Sequence, residues 1–491
     1  GTARFRLWFY KWRETRPRQP YVDFRVRPYR LKSGKFAFKG YVYANKSEGV
    51  LREHLVEIAE MLRYKGVEGI AYYERKKKKA ANLQLTGSFR DSILSRLGIT
   101  PRLPKGEPIA LEHLGGLRFK IGDNEAGFGK RIIGKRREFY TELKLSSGEE
   151  AAKMASSLKA LNIDAKVASD VVRFDSDAFF GLLAATGAVP PGLTPLYRSS
   201  DLHVYASVEE GRMRFYFAVK HEGVWRVAEG LYDERMRGAL LWRAEREVLE
   251  TIGKKVAEVL EWLGLPAEVG GPKEERDKEG YVVAYYLHLY SHHLTPLLQQ
   301  AAESVRAEPA DLTIGGRHIA VRASGAEAAI EFKLLRGGKA VFLLAQDVVQ
   351  TLALYKSLKA LGVPVELTPK GVRVDSKAMW AIVAAAVERA IEKAALSVRE
   401  VNGYAKLVEF MPGVELASIY NAGGSNMYVF RAFEDDVYYY LAVKTGEGWK
   451  AAGGKYRGRK MMIYGETAST IAEIINAIYR ERGIDRRVEA R

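Results

Sequence analysis

One stretch of this chain is used twice, and that limits what it can fold into. Residues 157–180 read SLKALNIDAKVASDVVRFDSDAFF and residues 357–380 read SLKALGVPVELTPKGVRVDSKAMW, an ungapped match at 10 of 24 positions. A second pair follows. Residues 216–235, YFAVKHEGVWRVAEGLYDER, match 440–459, YLAVKTGEGWKAAGGKYRGR, at 9 of 20 positions. The offsets are 200 and 224 residues, so the copied block is longer than either stretch. Self-similarity at this range predicts one architecture built twice.

Within each copy the residue pattern is specific. Ala152, Met154, Ala155, Leu158 and Leu161 fall at helical spacing. Asn162 or Gly362 ends that helix, because both residue types tolerate the left-handed conformation. Val171, Val172 and Phe174 predict a short strand, which Val372 and Val374 repeat. Asp175 and Asp375 then offer N-cap carboxylates to a helix beginning near Ala178 or Ala378. The acid pair Asp175/Asp177 reads as capping rather than metal binding, because Lys377 replaces the second acid in the other copy.

At 491 residues several domains are expected. The expected segments are a basic aromatic arm (1–20), a first ββαββα unit (21–100), a second unit (101–189) and a third (190–308). A fourth (309–395) repeats the second, and a fifth (396–491) repeats the front of the third. Residues 483–491 fall where the third unit goes on to a further strand pair and helix, so the last repeat is expected to be incomplete. The fold class is α+β, with tandem units of antiparallel sheet and helix. Zero cysteines exclude disulfides and thiolate metal sites and make a cytoplasmic location the default. No apolar run approaches the roughly 20 residues of a membrane helix, so no membrane partner is expected. The scarcity of Asn (8) and Gln (6) among so many charges suggests a heat-adapted source.

Charge points to a partner. The net charge is +18, and residues 1–100 hold 23 Lys/Arg against 9 Asp/Glu, whereas residues 201–491 hold 40 against 39. A local cationic excess of this kind implies a polyanion. The candidates fall in four places. In the opening TARFRLWFYKWR, Arg4, Arg6 and Arg13 could meet phosphates and Trp8 could stack on a base, or the run is an edge strand with solvated charges. Arg25 and Arg27 join them from the next strand. Arg75, Lys76, Lys77, Lys78 and Lys79 form either a solvated loop or a phosphate grip. Lys130, Arg131, Lys135, Arg136 and Arg137 form another basic cluster, beside the strand 139–145. Finally Lys220 with Trp225, and Lys444 with Trp449, recur at matched positions. Such a Lys-turn-Trp hairpin either grips a nucleotide or packs its Trp on a sheet while Lys snorkels.

Conventional catalytic signals are sparse. There is no Walker loop and no G-x-G-x-x-G motif, and His288, His292 and His293 lack the acid of an H-E-x-x-H site. No catalytic residue, metal or cofactor is expected.

The phrases YFAVKHEGVW, FFGLLAATGAVPPGLTPLYRS and SLKALGVPVE resemble the PaRep2b family, a repetitive family of hyperthermophilic archaea. That resemblance implies a heat-adapted archaeal source and leaves the mechanism open. Helix followed by ββαββα also resembles the LAGLIDADG homing-endonuclease fold, with curved antiparallel sheets packed by helices. Residues 179–187, FFGLLAATG, fit its nine-residue helix pattern at Gly181, Leu182, Ala185 and Gly187. The position of that family's catalytic acid is Thr186 here and Ala386 in the other copy, and neither can ligate a divalent metal. The expectation is therefore a nucleic-acid-binding protein without catalysis, with duplex DNA favoured through the likeness and RNA admissible. The alternatives are a nuclease whose acids lie elsewhere and a structural or partner-binding protein.

Overall fold

The computed structural model describes residues 3–8, 21–30, 36–43, 55, 58–60, 62, 67, 70–75, 80–86 and 108–491. Within the last span it omits 134–135, 244, 277–281, 317, 324, 332–339, 394–398, 402–403, 407–413, 423–424, 433–437, 458–459, 466 and 482. It is a mixed α+β structure in which antiparallel pairing dominates. Among the described residues no helix is long and apolar enough to cross a membrane.

Five strands open the chain, in the spatial order Ala3–Trp8, Tyr21–Arg30, Phe36–Tyr43, Ala80–Thr86, Ile70–Arg75. Helical backbone at residues 55, 58–60 and 62 lies in sequence between the third of these and the last two. The strands expected from Tyr21 onward therefore form, and Ala3–Trp8 adds an edge to them.

The remainder alternates two kinds of unit. The first is a three-stranded meander followed by strand, helix, hairpin and helix. In the first copy α1 (Gly148–Ala160) and α2 (Ser176–Thr186) flank the hairpin Lys166–Ala168/Val171–Phe174, which pairs onto strand Arg136–Lys144. The second copy repeats this connection with α5 (Val348–Ala360), α6 (Ser376–Glu392), hairpin Glu366–Thr368/Gly371–Val374 and strand Val341–Leu343. Local chemistry explains the match. Asp175 and Asp375 each accept from the backbone N–H three residues on, at 3.2 and 3.0 Å, which caps α2 and α6 alike.

The second kind of unit is an antiparallel meander crossed by helices. In the first half it is seven-stranded and carries α3 (Arg246–Trp262) and α4 (Ser291–Ser304). In the second half it is six-stranded and carries α7 (Ala468–Glu481). After α7 the strand Arg487–Ala490 pairs parallel to Lys460–Tyr464. After α3 the strand Lys273–Arg276 also runs parallel to its counterpart Gly238–Arg243, but Val282–Tyr290 lies between them. Lys273–Arg276 reads KEER, charged at every position. Its charged residues suit an edge strand, where they discourage further pairing.

Each large sheet is buried on both faces. Leu202, Val204, Phe215, Phe217 and Val219 share one core with α3 and α4, while Tyr205, Tyr216, Ala218, Trp225 and Val227 share another with α1 and α2. This second contact is copied. Phe180 of α2 lies 5.4 Å from Tyr205 and 5.3 Å from Tyr216, ring to ring. Trp380 of α6 lies 5.2 Å from Phe430 and 4.0 Å from Tyr440.

Candidate nucleic-acid interface

Alternate residues of a strand share a face, and so do residues directly paired across an antiparallel ladder. Applied to the first five strands, the register separates two chemistries. One face carries Phe5, Leu7, Val22, Phe24, Phe38 and Val42, together with Leu83, Leu85 and Ile70. Leu83 and Ile70 are buried, which identifies the covered face, and the helical segment nearby in sequence contributes buried Leu55, Ile58 and Leu62.

Of the seven cations of these strands, Arg30, paired with Phe36, falls on the first face, and the opposite face collects the other six. Arg4, Arg6, Arg25, Arg27, Lys39 and Arg75 all occupy it, with Asp23 as the acid among them. Trp8, Tyr21, Tyr29, Tyr41, Tyr43 and Tyr73 share this face. Arg4 is paired directly with Arg25, and Arg27 with Lys39. Like charges directly opposed are unfavourable by about 0.2–1 kcal/mol each, and an anion laid across them relieves that cost. Five of the residues singled out in the sequence (Arg4, Arg6, Trp8, Arg25 and Arg27) thus fall on one surface, with Arg75 at its far edge. The tyrosines and Lys39 were missed, because only the register assigns them to this face. Arg13 and Lys76–Lys79 lie outside the described residues, as does Lys135.

The cluster after residue 129 has a different fate. Lys130 and Arg137 come within 3.6 and 3.2 Å of the Glu209 carboxylate, and Arg214 within 2.7 Å. Glu209 is buried, as is Glu229, which accepts the backbone N–H of Arg137 and lies 3.4 Å from Arg214. Burial alone would lower the Arg214 pKa, but Glu229 and Glu209 hold it above its ordinary value. Burial, and then the same two acids, push the Tyr216 hydroxyl well up. Arg131 is paired with Glu138 at 2.5 Å and stacks over the Tyr140 ring at 3.7 Å. Arg136 pairs through its backbone with Ile133 at the turn of the hairpin. Lys130, Arg131 and Arg137 therefore each have a carboxylate partner within the chain itself.

The paired hairpins follow the packing alternative for their Trp residues. Trp225 and Trp449 are 5% and 3% exposed, so neither offers a face to a base. Their backbones dock the two kinds of unit together: the N–H of Trp225 donates to the Asn162 carbonyl at 3.0 Å, and that of Trp449 to the Gly362 carbonyl at 2.7 Å. Asn162 and Gly362 are the left-handed residues that end α1 and α5. In the second half the approach is closer, and a Cβ on Gly362 would meet the Gly448 Cα at 2.8 Å. Lys220 and Lys444 each sit 5.7 Å over the ring of their Trp, and Lys444 also pairs with Glu388 at 3.1 Å.

Asp177, Thr186 and His293 are likewise engaged. Asp177 is buried under Arg243, whose guanidinium donates at 2.7 and 2.8 Å, and it also accepts from the Val227 N–H at 2.8 Å. Burial alone would raise the Asp177 carboxyl, yet Arg243 and Arg226 hold it well below the usual carboxylate range. Thr186 Oγ1 donates to the Leu182 carbonyl at 2.7 Å inside α2, and Ala386 is buried. His293 accepts from the Tyr290 N–H through Nδ1 and contacts the Glu268 carbonyl through Nε2 at 3.1 Å, so both nitrogens are occupied. Burial and the neighbouring His292 lower its pKa to about 4. Among the described residues no three His, Asp or Glu side chains gather as a metal site. No protein-family model, curated protein or solved structure matches the chain.

Proposed function

We propose that this chain binds nucleic acid through the polar face of its N-terminal sheet, with the duplicated body as scaffold and no catalytic step of its own. The observation that carries the reading is the pairing of Arg4 with Arg25 and of Arg27 with Lys39 on a face that also holds Arg6 and Arg75. A polyanion neutralises such opposed charges and releases counterions as it does so. Regional charge agrees, because residues 1–100 hold 23 Lys/Arg against 9 Asp/Glu. The basic residues of the body support the same division of labour, since Lys130, Arg137 and Arg214 already serve buried Glu209.

The test is titration of labelled oligonucleotides at several salt concentrations. The intact chain is compared with a variant carrying Arg4→Ala, Arg25→Ala, Arg27→Ala and Lys39→Ala. Removing one cation from a phosphate lowers the log–log salt slope by about 0.7 on a single strand or 0.9 on B-form DNA. A drop of roughly two to three is expected for four cations, because not every one touches phosphate. An unchanged slope in a variant whose circular dichroism matches the parent would overturn the reading.

A further inference from the structure

Resting on that reading, we propose that the occupant is a single strand of nucleic acid laid across the sheet, with its bases on the aromatic positions. Cations alone do not choose between single strand and duplex, since both present phosphates. The aromatics do. Trp8, Tyr29, Tyr41, Tyr43 and Tyr73 share the face with the cations, and on each of four strands cations and rings occupy successive same-face positions: Arg4, Arg6, Trp8; Arg25, Arg27, Tyr29; Lys39, Tyr41, Tyr43; Tyr73, Arg75. Base–aromatic stacking is available only to unstacked bases, and a duplex keeps its base faces against one another.

Breadth agrees. Five strands about 4.8 Å apart span roughly 19 Å, whereas the major groove is about 12 Å wide and admits a helix or a two-stranded ribbon. A broad sheet face that carries both charge and rings therefore suits an extended strand better than a groove. The polar neighbours Gln84, paired with Tyr41, and Asn82, paired with Tyr43, add amide donors and acceptors beside the aromatic positions. Nothing in this arrangement distinguishes ribose from deoxyribose, so the shared chemistry is an unpaired polynucleotide, and DNA and RNA are arms of the experiment.

The experiment uses the full chain, a labelled single-stranded DNA, an RNA of the same sequence and the corresponding duplex. Single strands are expected to bind more tightly than duplex at equal salt, and the protein is expected to lower the melting temperature of the duplex. Tyr41→Ile with Tyr73→Ile places strand-favouring β-branched residues at both positions, and should weaken single-strand binding by roughly tenfold to a hundredfold. Tyr41→Phe with Tyr73→Phe keeps the rings and should bind as the parent does. If the duplex binds more tightly and is stabilised, the inference falls. If the isoleucine variants fold and bind single strands normally while the alanine variant at Arg4, Arg25, Arg27 and Lys39 binds weakly, the inference falls and the nucleic-acid reading stands. If that alanine variant also binds normally, both fall. Should the isoleucine variants not fold, the single-strand preference and duplex melting of the parent still decide the question.

Discussion

Two sets of cations in this chain look alike in sequence and differ in what opposes them. In the duplicated body, Arg214 meets buried Glu209 at 2.7 Å and Arg243 meets buried Asp177 at 2.7 Å. On the N-terminal sheet, Arg4 stands opposite Arg25 and Arg27 opposite Lys39 across the ladder. Cations of the first kind are counterweights to buried acids and belong to stability. Cations of the second kind are those of the proposed nucleic-acid face. Clustered positive charge in the sequence thus does not by itself say whether a cation serves a buried acid of the chain.

The strongest way to break this contrast is to remove a cation of the first kind. Arg243→Ala leaves the Asp177 carboxylate buried without its main partner and should cost about 3–5 kcal/mol in chemical unfolding. A cost under about 1 kcal/mol would mean that the pair only decorates the interface. The second half provides a natural control. Counted by its 224-residue offset, Thr467 stands where Arg243 does, and its hydroxyl donates to the Ala451 carbonyl as Arg243 does to that of Val227. Lys377 stands where Asp177 does. Asp177→Lys combined with Arg243→Thr should therefore cost less than Arg243→Ala alone, because no buried carboxylate is left uncompensated.

Acid should reveal the same pair. The folded pKa of Asp177 lies below its unfolded value, near 3.9 for a free Asp. Its contribution is complete above that value and is lost as pH falls from about 4 toward the depressed folded pKa. Asp177→Asn should flatten the acid limb of a stability–pH curve, and an unaltered limb would deny the pair its role. A smaller effect is expected from Lys130→Ala with Arg137→Ala. Both side chains are partly exposed, and Arg214 remains on Glu209, so a loss of about 1–2 kcal/mol with an unchanged salt slope for nucleic acid is expected. Smallest of all on stability is Arg4→Ala, which relieves a like-charge pair and should shift unfolding by no more than about 1 kcal/mol, in the stabilising direction. A large loss there would show that this arginine has a structural anchor.

The duplication, the capping acids Asp175 and Asp375, and the left-handed residues Asn162 and Gly362 were legible because each is a local pattern written twice. The strands of the first unit were legible from their own alternation of apolar and polar residues. Two things were not. The acids that hold Lys130 and Arg137 sit at Glu209 and Glu229, far along the chain on another sheet, and no local spacing announces them. The grouping of Lys39 and the tyrosines with Arg4 and Arg25 depends on strand register, and a slip of one residue would reverse it. The packing of Trp225 was one of two readings of a Lys-turn-Trp hairpin, and burial decided between them.

The most direct measurement is photocrosslinking of the full chain to a single-stranded oligonucleotide carrying 5-iodouracil, followed by mapping of the attached peptides. The account predicts attachment within the strands Ala3–Trp8, Tyr21–Arg30, Phe36–Tyr43 and Ile70–Arg75. Attachment concentrated instead at residues 129–137, or at the hairpins around Trp225 and Trp449, would contradict it.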